Sequence, residues 1–525
     1  MSCSSSVARA LPIRLIVLAL FISPSLHAGQ GATAPIFQPP TFVDSGGFAT
    51  ESAAVADVNR DGMPDLVVAI QNDPGGAHLT NGLVGVLLGH GDGTFDLPVT
   101  YDTGGNDAVS VAVADLNADG APDIIVGHYC VWVGDTCSFT TAGVLLGRGD
   151  GTFAPANQVN LGGSSSQQIA IADINGDGKP DLLATVAIPF NAAVATLIGN
   201  GDGTFQSPTF VPLSNTILYA LVVGDINGDG RPDVVASGAG ANGSGSSRGI
   251  ARVLLGNGDG TFQLSPTVYD SGVSAGGWAN SVVLGDLNED GALDLAIANY
   301  PDNATGVLLG NGDGTFGPTA LHDSGSRLAW ANTIADVNGD GKRDLIVANA
   351  GGVIGVLLGN GDGTLRPPQT YAIPGALSVV AADINRDDRP DLAVAVGNNL
   401  TAVLLNNPSC TGAAPVVTVA AAPRILWPPN GRAIPVSLSG SIAASDCSLN
   451  LTSARYVVRD DYGQFQPQGS IAIRSDGTFV FDVQLPASRR GDDRDGRHYT
   501  ITISAQTSGG ATGSATTIVT VPHNR

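Results

Sequence analysis

Along most of the chain, apolar residues fall in short runs such as "VSVAVA" (109–114), "LVVAI" (66–70), "IIVGH" (124–128) and "LIVAN" (345–349), cut by clusters of Gly, Asp and Asn. Runs of this length, rich in branched residues and bounded by turn formers, predict short β-strands joined by hairpins. The order of features is constant. An alternating stretch leads into an acidic nonapeptide, an apolar run follows, then a loop of variable length, "GVLLG" or a variant, "NGDGTF" or a variant, and a proline-bearing stretch. The nonapeptide begins at 57, 115, 173, 225, 286, 336 and 383, with spacings of 58, 58, 52, 61, 50 and 47 residues. A period near fifty belongs to solenoids or propellers, and each unit reads as a four-stranded antiparallel sheet.

The ends of the array decide between the two. Phe95, Phe153, Phe205, Phe262 and Phe316, with Leu365 in the sixth unit, open the last strand of each internal unit. The seventh unit stops at "TAVLLNNPS" without one, whereas "IFQPPTFVDSGG" around Phe37 supplies the missing piece ahead of the first acidic loop. A unit split between the two ends closes a ring and removes both open sheet edges. The fold class expected is therefore all-β: a seven-bladed β-propeller over residues 34–408, followed by an immunoglobulin- or fibronectin-like β-sandwich over 412–525. The sandwich is read from "AIPVSLSGSIAAS", "SARYVVRD", "TFVFDVQLP", "HYTITISA" and neighbouring runs, six or seven strands in all.

In "DINGDGKPD" (173–181), oxygen-bearing side chains stand at the first, third, fifth and ninth positions, with glycine at the sixth. Calcium takes about six to eight hard oxygen ligands, which a loop supplies from alternate positions around a sharp turn. Asp173, Asn175, Asp177 and Asp181, with the carbonyl of Lys179, are the expected ligands. EF-hand loops share the first half of this pattern but need a twelfth-position ligand and a following helix, and here Val68, Val126 and Ala184 occupy the twelfth position. Turn propensity alone does not account for three carboxylates in nine residues repeated seven times, since like charges at that separation repel by roughly 1–4 kcal/mol per pair. The seventh loop is weaker, because Asp388 stands where the others have the turn glycine.

The acidic loops and the "LLGNGDGTF" segments resemble the FG-GAP or VCBS repeats of the integrin α-subunit type of propeller. The resemblance covers all seven units and implies the same ligand set at each: Asp57, Asn59, Asp61 and Asp65; Asp115, Asn117, Asp119 and Asp123; Asp225, Asn227, Asp229 and Asp233; Asp286, Asn288, Asp290 and Asp294; Asp336, Asn338, Asp340 and Asp344; Asp383, Asn385, Asp387 and Asp391. Up to seven structural Ca2+ ions are expected. The resemblance is far more specific for fold than for activity, since function sits in sites rather than in folds; non-enzymatic adhesion is the use it implies.

Residues 1–28 carry Arg9 and Arg14, the apolar run "LIVLALFI" and a short polar stretch ending at Ala28, which reads as a secretory signal rather than a membrane span. Secretion or cell-surface display follows, and no transmembrane segment is expected. In an exported chain, Cys130, Cys137, Cys410 and Cys447 favour disulfides, and proximity favours Cys130 with Cys137 and Cys410 with Cys447. The net charge of −23 argues against nucleic acid and for cations as partners. A monomer is expected.

The variable loops all lie at the end of the ring opposite the acidic loops, and variation is where a repeat protein places recognition. Tyr129, Trp132, Trp278, Tyr300 and Trp330 gather there and are the candidate ligand-binding residues for a glycan or an extracellular protein. The alternative is a carbohydrate-active lyase or dehydratase at the channel mouth, for which His78, His128, Tyr129, His322 and Arg327 are the available groups; they fall on separate units without a recognisable nucleophile–base pair. "RGD" at 490–492 is too short to carry an adhesion argument.

Overall fold

Strands form where the repeat pattern places them because each second strand is apolar along its middle, as in Asp65–Gln71 and Asp123–His128, and is buried on both faces between neighbours. The computed structural model describes residues 35–72, 81–133, 136–189, 191–241, 247–406, 415–443, 449–474, 477–507 and 512–523. The signal reading, His78, Cys410 and Cys447 lie outside these residues. No helix occurs among the described residues, and none is long and apolar enough to cross a membrane.

Seven four-stranded antiparallel sheets follow one another. Blade 1 runs Ala49–Ala56, Asp65–Gln71, Leu83–Leu87 and Val99–Asp102, from the inner strand to the outer. Adjacent blades share cores: Val67, Ala69 and Val86 of blade 1 pack with Val111, Ile124 and Val126 of blade 2. The inner strands contact each other in sequence around the ring, and the first (Ala49–Ala56) contacts the last (Ala376–Ala382), so the circle closes.

Closure takes the expected form. Blade 7 is completed by Thr41–Asp44, which pairs with Leu400–Leu404 in the register Thr41 to Val403 through Asp44 to Leu400. Phe37 bridges to Asn406 as Phe95 bridges to Gly89 in blade 1. It is 1% exposed, lies edge-on to Tyr371 at 5.5 Å, and donates its amide N–H to the Tyr371 hydroxyl at 3.1 Å. Tyr101 with Phe153 and Tyr269 with Phe316 repeat this edge-on contact.

The C-terminal segment forms two four-stranded sheets around one apolar core that includes Leu438, Phe479, Val458, Ile501 and Val519. Its described residues form eight strands rather than six or seven, because the first run divides into Val416–Val417 and Ala420–Ala422, and the short strand Gln468–Ser470 is additional. A buried ion pair, Arg497 to Asp460 at 2.5 Å, sits at the end of the second sheet, where the guanidinium and backbone amides hold the Asp460 carboxyl down to about 2.

Ring closure generates a quantitative expectation. Phe37→Ala should destabilise the propeller by about 3–5 kcal/mol, as full removal of a buried aromatic does, whereas Phe42→Ala, on the half-exposed closing strand, should cost well under half of that. Urea denaturation of the two variants, followed by tryptophan fluorescence, checks the difference.

Candidate functional site

The acidic loops and the variable-loop face occupy opposite ends of the ring, because every inner strand runs from the second toward the first. In the loop at 173, Asp173 accepts the amides of Gly176 at 2.8 Å and Gly178 at 2.8 Å, Asn175 Oδ1 accepts that of Asp177 at 2.9 Å, and Asp177 accepts that of Lys179 at 2.9 Å. These side-chain turns wind the backbone so that the sixth position needs positive φ: Gly178 sits at +80°, and Asp388, its counterpart in the seventh loop, at +64°. The fourth position shares this requirement, with Arg60 at 61° and Arg386 at 63°.

The ninth aspartate has a role that the sequence did not reveal. Asp181 is fully buried, and its two oxygens accept the amides of Ile174 at 3.0 Å and Gly199 at 2.7 Å. The same clamp recurs at Asp65, Asp123, Asp233, Asp294, Asp344 and Asp391. It joins the acidic loop to the end of the third strand, where a Cβ on Gly199 would lie 2.1 Å from the Pro180 carbonyl; hence the glycine of "LLG". Burial pushes the ninth carboxyl above its ordinary range, and the first and fifth aspartates add to the rise. Asp344 and Asp391 reach about 6.

The donors at positions one, three, five and nine are all oxygens, which suits a hard cation. Positive charge nearby is scarce: among ion pairs of the described residues, one reaches a loop carboxylate, Arg60 with Asp119 at 3.7 Å. As placed, the carboxylates turn toward backbone amides, and no group of three or more acidic, histidine or cysteine side chains among the described residues is arranged as a metal centre. Each amide bond leaves lone pairs on these oxygens. The "NGDG" segments are turns, as expected, with Asp202 capping the Thr204 amide at 3.0 Å.

At the opposite end, every inner strand carries a β-bulge at the same place. The ladder skips Glu51, Val109, Gln167 with Gln168, Tyr219, Asn280, Trp330 and Leu377. Glu51, Val109, Gln167, Tyr219, Asn280, Trp330 and Leu377 each stand six positions before the first aspartate of their loop. A bulge re-aims its extra side chain. Here all of them turn onto one cavity of about 280 Å3 on the ring axis, with Trp278 beside them. Small residues follow most of them, Ser52, Ser110, Ala220, Ser281, Ala331 and Ser378, and leave the axis open.

Three of the predicted ligand-binding residues come together. Trp278 stacks between Tyr219, at 5.5 Å, and Tyr300, at 5.0 Å, and Tyr300 meets Trp330 edge-on at 5.5 Å. Tyr300 lies behind the cavity wall as support. Tyr129 is close enough to Tyr219 to reinforce the upward shift that burial gives the Tyr219 hydroxyl. The strand bearing Trp132 belongs to an extra hairpin, Val131–Val133 with Thr136–Phe139, tied by the Cys130–Cys137 disulfide. Asn280 donates to the Trp330 carbonyl at 2.9 Å, and Gln168 accepts the Leu221 amide at 2.9 Å, so polar side chains fasten neighbouring blades around the cavity.

Among the described residues Glu51 is the one carboxyl on the cavity wall, and no Lys, Arg or His lines it. Burial, with Asp107 second, raises its pKa to about 7. Of the groups considered for catalysis, the described ones, His128, Tyr129, His322 and Arg327, do not line it. His128 is buried in the second strand of blade 2 between Thr141 and Thr103, and burial lowers its pKa to about 4. His322 lies on the outer strand of blade 5, and Arg327 in the loop after it.

The FG-GAP-like repeat profile matches residues 57–126, 130–184, 186–236, 239–297, 286–347 and 336–394. Phosphatidylinositol-glycan-specific phospholipase D of Rattus norvegicus is 28% identical over 164 residues, 27% of this chain and 19% of that protein. Integrin alpha-IIb of Mus musculus is 25% identical over 225 residues, 39% of this chain and 21% of that protein. The chain thus spans about a fifth of the length of these relatives. Among solved structures, a periplasmic gluconolactonase of Pseudomonas aeruginosa is similar with a TM-score of 0.46 and 16% identity, over 66% of this chain and 88% of that one.

The two aspartate roles separate experimentally. In chelator, Asp181→Asn sets an NH2 group against a buried amide and should cost about 1–3 kcal/mol. Asp177→Asn, which is exposed, should change metal-free stability by no more than about 0.5 kcal/mol. Equilibrium unfolding in EDTA measures both.

Proposed function

We propose, on the premise that the chain belongs to the FG-GAP-like repeat family, that it is an exported, calcium-braced propeller acting as a non-enzymatic binding or adhesion module. Its ligand is a glycan or an extracellular protein taken up at the variable-loop end. The observation that supports this most is the bulge column. Seven units repeat one frame closely, yet this position reads Glu, Val, Gln, Tyr, Asn, Trp, Leu around the axis. A structural role alone would favour one residue type repeated; a ring of unlike side chains on one cavity is what recognition uses.

Calcium fits the acidic loops by donor chemistry. In each loop the first, third, fifth and ninth side chains and the seventh carbonyl would hold the ion. When bound, it supplies positive charge to three carboxylates that have little else to neutralise them. The chain's own residues already set the loop's shape, through the amide bonds to the first and fifth aspartates and the clamp at the ninth. A catalytic reading has less support: Glu51 has a pKa suited to proton transfer, but the described residues of the cavity wall offer no second acid or base and no activated nucleophile.

Each site at ten times its dissociation constant adds about 1.4 kcal/mol, so millimolar calcium should raise the melting temperature and chelator should lower it. A chelator-independent melt would remove calcium from the proposal. On a mixed glycan and matrix-protein array in calcium buffer, binding should be lost in Trp330→Ala; retention in that variant would move the site away from the axis.

A further inference from the structure

The axial cavity has a charge pattern that narrows what it can accept. Among the described residues its wall carries one carboxyl, Glu51, and no cationic side chain, and the other charge that acts on Glu51 is a second carboxylate, Asp107. Asp107 is itself held by Gln71 Nε2 at 3.0 Å, whereas no described group donates a hydrogen bond to the Glu51 carboxyl. Glu51 is half-buried on the cavity wall, and a carboxyl that lacks a protein donor there is best matched by a ligand that brings its own positive charge. An anionic ligand would meet these two carboxyl groups and no cationic side chain among the described lining residues.

The rest of the wall fixes the body of the ligand. Tyr219, Trp278 and Trp330 line one side, held rigid by the stack behind them. Asn280 stands among them on the strand of Trp278, and Gln167, Ser52 and Ser378 lie on other blades, so donors and acceptors are offered at several points of the circle. Asn280 uses one amide N–H on the Trp330 carbonyl. Aromatic surface on one side and scattered amides and hydroxyls on the others match a sugar ring, with its apolar C–H face and peripheral hydroxyls. A lysine side chain has no such hydroxyls to satisfy them. A cavity of about 280 Å3 is small for a drug-sized ligand, so it suits a chain end rather than a chain passing through.

Resting on the binding reading above, we propose that the axial cavity seats a terminal amino-sugar residue of a glycan, with its ammonium group at Glu51 and its ring against Tyr219, Trp278 and Trp330. Glu51 is then the specificity-determining residue, and the free amine is what the protein distinguishes.

Isothermal titration of the full chain in millimolar calcium, with β-1,4-linked trimers of glucosamine, of N-acetylglucosamine and of glucose, tests this directly. The free-amine trimer should bind at least about tenfold more tightly than the other two, as a charge-assisted hydrogen bond provides. Glu51→Gln, which keeps the side-chain shape, should bring the three trimers to within about twofold of one another at unchanged melting temperature. Equal binding of all three by the unsubstituted chain, or a preference that survives Glu51→Gln, overturns the inference while leaving a glycan-binding face in place. If no trimer binds while an array hit is lost in Trp330→Ala, the amino-sugar assignment falls and the axial site stands. If neither the trimers nor the array give binding that depends on Trp330, both readings fail together.

Discussion

The structure depends on a buried carboxylate that accepts two backbone amides. In each blade the ninth aspartate reaches across from the acidic loop to the amide at the end of the third strand, and so sets where the second strand starts and where the third stops. Such charge-assisted bonds are worth about 1.5–3 kcal/mol each, but taking the carboxylate out of water opposes them, and burial is the largest cause of the raised pKa at all seven. The clamp is thus incompletely compensated by the protein alone. Its two acidic neighbours in the loop increase the deficit, which is the physical reason that an external cation is expected there. Blade 7 shows how strictly the contact is kept: Asn406 replaces the glycine, yet its amide still meets Asp391, at 2.6 Å.

Much of the fold was legible because repetition averages out local ambiguity. One apolar run such as "LVVAI" could be strand or helix, but seven in one phase, between loops rich in turn formers, leave a single reading. The split unit made closure legible for the same reason, since Phe37 could be aligned with Phe95 and its relatives. The C-terminal segment offered no second copy. There the strand count came out low, because a two-residue pairing such as Val416–Val417 leaves no periodicity to detect.

The site was legible in part. Trp278, Tyr300 and Trp330 were found as aromatics near variable loops, and the structure brings them together. Glu51, Gln167, Asn280 and Tyr219 were not found as a group, although their constant distance from the acidic loop was visible. What hid them was the bulge: two-residue alternation assigns these positions to the ladder, whereas an extra residue turns them onto the axis. The ninth aspartate was found by position, but its amide clamp was not legible, because a sequence shows a carboxylate but not the amides that converge on it from elsewhere in the chain. The two ends of the ring divide the labour accordingly. One repeats a charge arrangement without change, and the other varies one side chain per blade.

Joining Thr41–Asp44 to Leu400–Leu404 also governs the order of folding. The Thr41 hydroxyl meets the Val403 carbonyl across a sequence separation of 362 residues, so this pairing cannot form until the last blade exists. A chain emerging from its first residue onward must carry the early strand unpaired while six blades assemble behind it. Contacts of such long range slow folding and expose an open edge to other chains in the interval. The slow step in maturation should therefore be the capture of a waiting N-terminal strand, a kinetic bottleneck set by connectivity rather than by the strength of any one contact.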